Sequence, residues 1–407
     1  MKKNTSNERR AFMRAMTLGL MSFTAISALA GTAFAQETIK IGGLASLSGS
    51  GASVGKGAEI GWKLAIADIN AAGGIAGKQV EFVLADTQTD PTHAVSEARR
   101  LVDVEKIAAM VGPVTSQEVI PVTAVTTEGK IAQVTTAASP DLTPKLAPYH
   151  FSNSPTGVNQ MIPTINYATK DLGLTKLALI SDNGGMSKAA TIEIEAYMKT
   201  LGLTPTGVQE FAFRTEDMTP QLFSLRGTDA QAVLLVNSLG DDARKMLQNR
   251  DDIGWDVNVL GSLTTTNYAV GNAAILGEEA FNKVNSVQFI GMTYCPSDAV
   301  GSSAFAKFDA RAKTEVADLE RLGGSAALVP YYIEPFILKA AIEGSGKTDG
   351  PSIAAWIEAN AGSIENMIGP FAASATNHFL PSAEALVVTK NAFKPREDGL
   401  TERVNCK

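Results

Sequence analysis

The hydrophobic positions of this chain form short apolar runs that alternate with longer amphipathic stretches. Short runs rich in Val, Ile and Leu are typical of buried strands, whereas apolar residues spaced three and four apart indicate helices. Helical patterns separate most of the runs, which indicates parallel sheets wrapped by helices. Because there are too many strands for one small sheet, we predict an α/β fold with two doubly wound parallel-sheet lobes. The predicted strands cover residues 38–44, 79–85, 108–111, 131–135, 176–180, 208–213, 232–236, 257–260, 284–290 and 384–388.

Two of these strands end in turns that are rich in small and hydroxyl-bearing residues. The sequence GPVTS at 112–116 follows one apolar run, and TAASP at 136–140 follows the next. In open α/β sheets, ligands bind at the carboxyl ends of the strands. The hydroxyls of Thr115 and Ser116, with the free N–H groups of the following helix, therefore predict a site for an anion such as a carboxylate. The alternative is a pair of ordinary turns in which Ser and Thr cap helices.

The N-terminal residues 1–35 have the pattern of an export signal. A basic region that includes Arg9 and Arg10 precedes an apolar stretch at 15–30, and the sequence AFA at 33–35 fits the rule for cleavage by signal peptidase. We expect the exported chain to begin at Gln36 in the periplasm. The paired arginines resemble the twin-arginine signal, but no Ser or Thr directly precedes them, so both twin-arginine and Sec export stay open.

The charge and the cysteines of the chain limit its partners. Loss of residues 1–35 removes five basic residues and one acid, which changes the net charge from −7 to −11. An acidic exported protein is a poor partner for nucleic acid or anionic membranes. The cysteines are Cys295 and Cys406. In an oxidising compartment they can form one disulfide, and two unpaired thiols are the alternative.

Motifs for catalysis and for cofactors were sought and not found. The loop at 47–57 is rich in Gly and Ser, but it departs from the Walker A pattern at Ser50 and Gly57. His93, His150 and His378 lie far apart, without the spacing of metal ligands. We therefore expect no enzyme activity, no metal and no cofactor.

Several motifs together resemble one known family. They are IKIG at 39–42, LSG at 47–49, the spaced residues from Gly57 through DIN and GGI to Gly77, Asp90-Pro91, VGP at 111–113 and AASP at 137–140. In these features the chain resembles the type I periplasmic solute-binding proteins of ABC importers, the group that includes the leucine/isoleucine/valine-binding proteins. The resemblance is dense over residues 38–145 and continues more loosely to about residue 390.

This resemblance implies two lobes that are joined by three crossovers and close over a ligand by a hinge motion. We place lobe I at residues 36–152 plus 293–386 and lobe II at residues 153–292 plus 387–407. It also implies a small-molecule carboxylate as ligand, an ABC permease in the inner membrane as partner, and a monomeric protein. A ligand sensor that docks on a membrane receptor is an alternative to the role in import.

The resemblance also assigns binding roles to individual residues. Ser116 corresponds to the hydroxyl that holds the ligand carboxylate, and Ala137 corresponds to a carbonyl that accepts from the ligand ammonium. Ser139 corresponds to a second hydroxyl, and Val114 to an apolar wall. The other predicted ligand-binding residues lie in the same turns or in the facing turns of lobe II, and they are Thr115, Ala138, Asn183, Met186, Ser238, Leu263 and Thr264.

The nature of the ligand stays open at this stage. Amino-acid binders of this family have an acid where this chain has Leu263, and an ammonium buried without a carboxylate is costly. Asp182, Asp241 or Asp242 could substitute, although each also fits an ordinary role in a turn or in the first turn of a helix. Two ligand classes are therefore considered: a branched-chain or other hydrophobic amino acid, and an aromatic or keto acid without an amine.

Overall fold

The computed structural model describes residues 38–406, which fold around two sheets. Each predicted strand is present, with ends within about two residues of the expected positions. The predicted signal peptide lies outside the described residues. The strands are β1 (Thr38–Ala45), β2 (Gln79–Asp86), β3 (Ala109–Val111), β4 (Ala132–Thr135), β5 (His150–Ser152), β6 (Leu177–Asp182), β7 (Val208–Phe211), β8 (Ala232–Val236), β9 (Asn258–Gly261), β10 (Val284–Phe289), β11 (Thr293–Tyr294), β12 (Leu386–Lys390) and β13 (Thr401–Arg403).

The first sheet holds five parallel strands in the order β2-β1-β3-β4-β5. The second holds eight strands in the order β11-β13-β12-β10-β9-β8-β6-β7. Its strands β6 to β10 are parallel, and β12 runs antiparallel to both β10 and β13. The α/β architecture with parallel sheets is as predicted. The exact lobe boundaries stay a prediction.

Twelve α-helices connect or cover the strands within the described part of the chain. They are α1 (Ala52–Ala71), α2 (Pro91–Arg99), α3 (Ser116–Gly129), α4 (Gly157–Asn166), α5 (Gly185–Thr200), α6 (Thr219–Arg226), α7 (Gly240–Asp252), α8 (Leu263–Asn267), α9 (Ala269–Leu276), α10 (Ala304–Glu315), α11 (Ser325–Ser345) and α12 (Gly350–Asn360). Although α11 is far from α1 in sequence, it packs along α1. Trp62 of α1 is fully buried there, and its indole N–H donates to Glu334 of α11 over 2.6 Å.

Two helix boundaries differ from the sequence expectation for identifiable reasons. The stretch at 47–57 was expected to be a loop, but α1 begins at Ala52. A Cβ atom at Gly55 would overlap the Ser46 carbonyl, so this glycine serves close packing against the end of β1 rather than flexibility. The sequence pattern predicts a single helix over 303–322, but α10 ends at Glu315, because Val316 adopts an extended conformation.

The C-terminal strands are tied to the second sheet by a disulfide bond. Cys295 follows β11 and Cys406 follows β13, and the two residues are bonded with their Cα atoms 5.6 Å apart. The strands β11 and β13 are themselves parallel neighbours. The disulfide that the sequence permitted is therefore present, and it joins the end of the chain to the body of the protein.

Candidate functional site

A cavity of about 100 Å³ lies where strand ends of the two sheets face each other. Turns after β3, β4 and β5 contribute from the first sheet, and turns after β6, β8 and β9 contribute from the second. This volume suits a small metabolite rather than a drug-sized molecule. The cavity is lined by Val54, Val114, Thr115, Ser116, Thr136, Ala137, Ala138, Asn153, Ser154, Gln160, Met186, Ser238, Leu263, Thr264, Asn267, Tyr268, Phe289, Ala327, Pro330 and Tyr331.

Gly112 sets the direction in which the chain leaves β3. Its φ angle of 76° lies in the left-handed region, and a Cβ atom there would overlap the carbonyl oxygen of Leu44. The Gly112 N–H donates to the Val134 carbonyl over 3.0 Å, and the Gln133 side chain donates to the Gly112 carbonyl over 2.8 Å. The turn at 112–116 is thereby fixed against β4.

A buried acid behind this turn holds the hydroxyl of Thr115. Glu118, in the first turn of α3, is fully buried and accepts hydrogen bonds from the hydroxyls of Ser46, Thr87 and Thr115. Hydrogen bonds of this kind offset the cost of burying a carboxylate. Because Thr115 gives its hydroxyl proton to Glu118, its side chain lines the cavity without offering that proton to a ligand.

Ser116 is the residue of this turn whose hydroxyl proton stays available. Its side chain is 6% exposed, and its Oγ accepts the Ala138 N–H over 3.1 Å, which joins the two predicted turns directly. A hydroxyl that accepts one hydrogen bond can still donate its own proton. The helix α3 begins at Ser116, and its N-cap residue Thr115 makes no side-chain capping bond. The helix dipole therefore adds to the preference of this corner for negative charge.

Nine of the eleven predicted ligand-binding residues lie in the cavity lining, and Ser139 and Asn183 lie outside it. Ser139 is fully buried, and its hydroxyl exchanges hydrogen bonds with Asp141, so Ala138 takes the position facing the cavity. Asn183 is exposed, and its side chain accepts the Phe213 N–H over 3.2 Å. Both residues stabilise turns next to the cavity.

On the opposite side, Asp182 organises two turns at the end of β6. One carboxylate oxygen accepts the Gly184 N–H over 2.8 Å, and the other accepts the Ser238 N–H over 2.6 Å. Burial raises the pKa of the Asp182 carboxyl, and these backbone donors oppose that rise. The turn after β6 leads into α5, whose first turn brings Met186 to the cavity, and the turn after β8 brings Ser238.

Gln160 of α4 links two segments that line the cavity. Its side chain accepts the Leu263 N–H over 3.2 Å and donates to the Pro155 carbonyl over 3.1 Å. The same amide donates to the hydroxyl of Ser154 over 3.3 Å. These bonds hold the start of α8 against the segment that follows β5.

Among the residues that the structure describes, no charged side chain lines the cavity. Asp182 faces backbone donors, and Asp241 forms ion pairs with Arg214 and Arg244. Asp242 accepts the Arg214 N–H over 2.9 Å. Burial, together with the charge of Asp182, raises the pKa of Asp242 to about 7. None of the three acids considered as ammonium partners reaches the lining.

The sequence prediction missed several polar lining residues. Asn153 and Ser154 directly follow β5 and line the cavity. The pattern that predicted the turns at 112–116 and 136–140, small polar residues after an apolar run, could have identified them as well. Tyr268 and Tyr331 carry no such signal, because they lie beside and within helices. Burial raises the pKa of both tyrosines well above the ordinary value, so both hydroxyls keep their protons.

Within residues 38–406, no helix is long and apolar enough to cross a membrane. No group of three or more His, Cys, Asp or Glu side chains in this part of the chain is arranged to hold a metal ion.

Two parallel α/β sheets with a small cavity at their facing strand ends define a type I periplasmic binding protein. The sequence profile of the family described as periplasmic binding protein matches residues 38–393, and the chain belongs to this family. The resemblance inferred from the motifs is therefore confirmed. Members of the family are solute-binding proteins of ABC transport rather than enzymes.

Two relatives carry the name Leu/Ile/Val-binding protein. The Leu/Ile/Val-binding protein BraC3 of Rhizobium johnstonii is 28% identical over 345 residues, which are 82% of this chain and 87% of that protein. Leu/Ile/Val-binding protein homolog 3 of Brucella melitensis is 28% identical over 368 residues, which are 89% of this chain and 94% of that protein.

Solved structures of two differently liganded proteins share the fold. The branched-chain amino-acid binding protein LivJ of Streptococcus pneumoniae, in complex with isoleucine, aligns with a TM-score of 0.71 and 22% identity, over 90% of this chain and 98% of that one. A solute-binding protein of R. palustris, in complex with 4-hydroxybenzoate, aligns with a TM-score of 0.75 and 18% identity, over 91% and 96%. At these identities the likeness shows the fold alone.

Proposed function

We propose that this protein is the periplasmic receptor of an ABC importer and captures a small carboxylate in the cavity between its lobes. The observation that carries the proposal is the corner at Ser116. There, a buried hydroxyl with a free proton lies at the uncapped start of α3 and lines the cavity. Such a corner stabilises a carboxylate through a charge-assisted hydrogen bond and through the helix dipole.

The remainder of the lining suits an apolar ligand body. Val114, Met186 and Leu263 lie on the cavity wall, as does Phe289. Burial of apolar ligand surface against these side chains contributes about 25 cal/mol for each Å². The names of the relatives support a branched-chain amino acid, and the R. palustris structure shows that this fold also accepts an aromatic acid.

In this proposal the ligand binds between lobe I (36–152 plus 293–386) and lobe II (153–292 plus 387–407), and the hinge closes over it. The closed protein, a monomer exported by means of residues 1–35, then delivers the ligand to a permease in the inner membrane. Neighbouring genes for a permease and an ATPase would support import over ligand sensing.

Thermal unfolding of the mature protein, from Gln36 onward, tests this function. The protein is screened against amino acids, keto acids, hydroxy acids and aromatic acids, and mass spectrometry identifies any ligand that is retained after purification. We expect at least one carboxylate to raise the melting temperature, because a ligand that binds only the folded state stabilises it by mass action. If no carboxylate does so, the proposed function is wrong.

A further inference from the structure

The uncharged lining of the cavity limits the chemical class of the ligand more narrowly than the hydroxyl of Ser116 does. An amino acid brings an ammonium as well as a carboxylate, and a buried ammonium needs an acid or several acceptors around it. Among the described residues, none of those in the lining is an acid. Leu263 is 5% exposed and is part of the wall.

The buried acids behind the lining cannot supply the missing charge. Both oxygens of Asp182 accept backbone N–H groups, and Glu118 is surrounded by three hydroxyl donors. Glu334 accepts the Trp62 indole N–H, and burial raises the pKa of Glu334 well above its ordinary value, which favours the neutral acid. Asp182 and Glu118 are therefore engaged by protein donors, and Glu334, whose Oε1 atom has no hydrogen-bond partner, lies outside the lining.

The backbone acceptors of the two turns are also engaged. The Ala137 carbonyl, which the resemblance assigned to the ligand ammonium, accepts the Ser152 hydroxyl over 2.7 Å. The Ala138 carbonyl accepts the Gly157 N–H over 3.0 Å. Each carbonyl therefore keeps one lone pair rather than two for an ammonium in this cavity.

One acceptor in the lining has no partner, and it belongs to Asn153. Its side chain is fully buried, and its amide NH₂ donates to the Pro330 carbonyl, which fixes the orientation of the amide. The Asn153 Oδ1 atom is left without a hydrogen bond. A buried acceptor of this kind calls for a donor, and a neutral hydroxyl satisfies it without the cost of burying a charge.

We propose that the ligand is a hydroxy acid without an amine, whose carboxylate binds at Ser116 and whose hydroxyl donates to Asn153 Oδ1. This inference rests on the proposed function and narrows its ligand class. It departs from the branched-chain amino acids that the names of the relatives suggest. The turns that follow β3 and β5 are two strand spacings apart, about 10 Å, which favours an acid whose hydroxyl lies several atoms from its carboxylate, such as a ring-hydroxy acid. The α-hydroxy acids, in which the two groups are adjacent, are the other case that the experiment includes.

Calorimetry of the mature protein with matched ligand series tests the proposal. One series is leucine, leucic acid and isocaproic acid, which share a carbon skeleton and differ in carrying an amine, a hydroxyl or neither. A second is phenylalanine, phenyllactic acid and phenylpropionic acid, and a third is 4-hydroxybenzoate with benzoate. In at least one series we expect the hydroxy acid to bind about tenfold more tightly than the unsubstituted acid. We expect the amino acids to bind about 100-fold more weakly than their hydroxy analogues.

Two substitutions assign these differences to residues. Asn153→Ala should bring the hydroxy and unsubstituted acids to the same affinity within about twofold, because the acceptor is gone. Asn183→Ala, in an exposed asparagine outside the lining, is the matched control and should keep the difference. Leu263→Glu adds a carboxylate to the wall and should make leucine bind more tightly than it binds the native protein.

The outcomes separate this inference from the proposed function. If leucine or phenylalanine binds as tightly as its hydroxy analogue, or if no hydroxy acid is preferred, the inference is wrong and the receptor function stands. If no carboxylate binds, the function itself fails. The comparison within each series uses the native protein, so the inference stays testable even if Asn153→Ala does not fold.

Discussion

The substitution Ser116→Ala gives the most direct test of the binding corner. The Ser116 side chain is 6% exposed, and its proton is free while its oxygen accepts the Ala138 N–H. A hydrogen bond to a charged group contributes about 1.5–3 kcal/mol, so its loss should weaken carboxylate binding by about 10- to 150-fold. The substitution also removes the acceptor of the Ala138 N–H, in the free protein and in the complex alike. The loss of this second hydrogen bond should therefore lower the free energy of unfolding, by about 1–3 kcal/mol, and should have little effect on ligand affinity.

Calorimetry with the ligand found in screening measures the affinity, and urea unfolding measures the stability. Ser139→Ala is the matched control, because Ser139 is equally buried in the neighbouring turn but lies outside the lining. It should change stability without changing affinity. Ser116→Thr keeps the hydroxyl and should bind more tightly than Ser116→Ala. An affinity of Ser116→Ala within twofold of the native value would refute the assignment of Ser116 to the ligand.

Three further predictions concern stability. Burial, with the nearby charge of a second histidine, lowers the pKa of His150 to about 3, so between its ordinary value of about 6.5 and that pKa the unfolded chain binds the extra proton. The free energy of unfolding should therefore fall by about 1.4 kcal/mol per pH unit from this group as pH is lowered through that range, and His150→Gln should flatten this part of the urea-unfolding profile. Replacement of both Cys295 and Cys406 by Ala should cost about 2–4 kcal/mol in urea unfolding, because their disulfide closes a long loop, and should leave ligand affinity unchanged, because neither residue is in the lining. Trp62→Phe should lower the free energy of unfolding by about 1–3 kcal/mol, since the carboxyl of Glu334 loses its indole donor; a midpoint equal to the native one would contradict this.

The strand pattern was predictable because strand burial is recorded locally in the chain. A buried parallel strand needs a run of apolar residues, and the helix that follows needs an amphipathic repeat, whatever the rest of the protein does. The turn at 112–116 could be predicted in the same way, since Gly112, Pro113 and the hydroxyl-bearing Thr115 and Ser116 follow such a run. These local sequence patterns were sufficient to predict the strands of both sheets and the turn at 112–116.

The composition of the cavity depended on contacts between distant parts of the chain. Sequence alone could not tell that Thr115 gives its proton to Glu118 while Ser116 keeps its own, because Glu118 is placed by hydroxyls of other segments. Nor could it tell that Asn153 meets the Pro330 carbonyl, 177 residues further along the chain.

By itself, the sequence determined the fold, the family and the expectation of an anion site after β3, because these depend on local patterning. Only the tertiary structure decided which polar groups are already satisfied and which still lack a partner. That balance is a property of non-local hydrogen bonds. The non-local hydrogen bonds leave the proton of Ser116 available and the Oδ1 atom of Asn153 without a partner, and the packing of distant segments leaves the cavity with an uncharged wall.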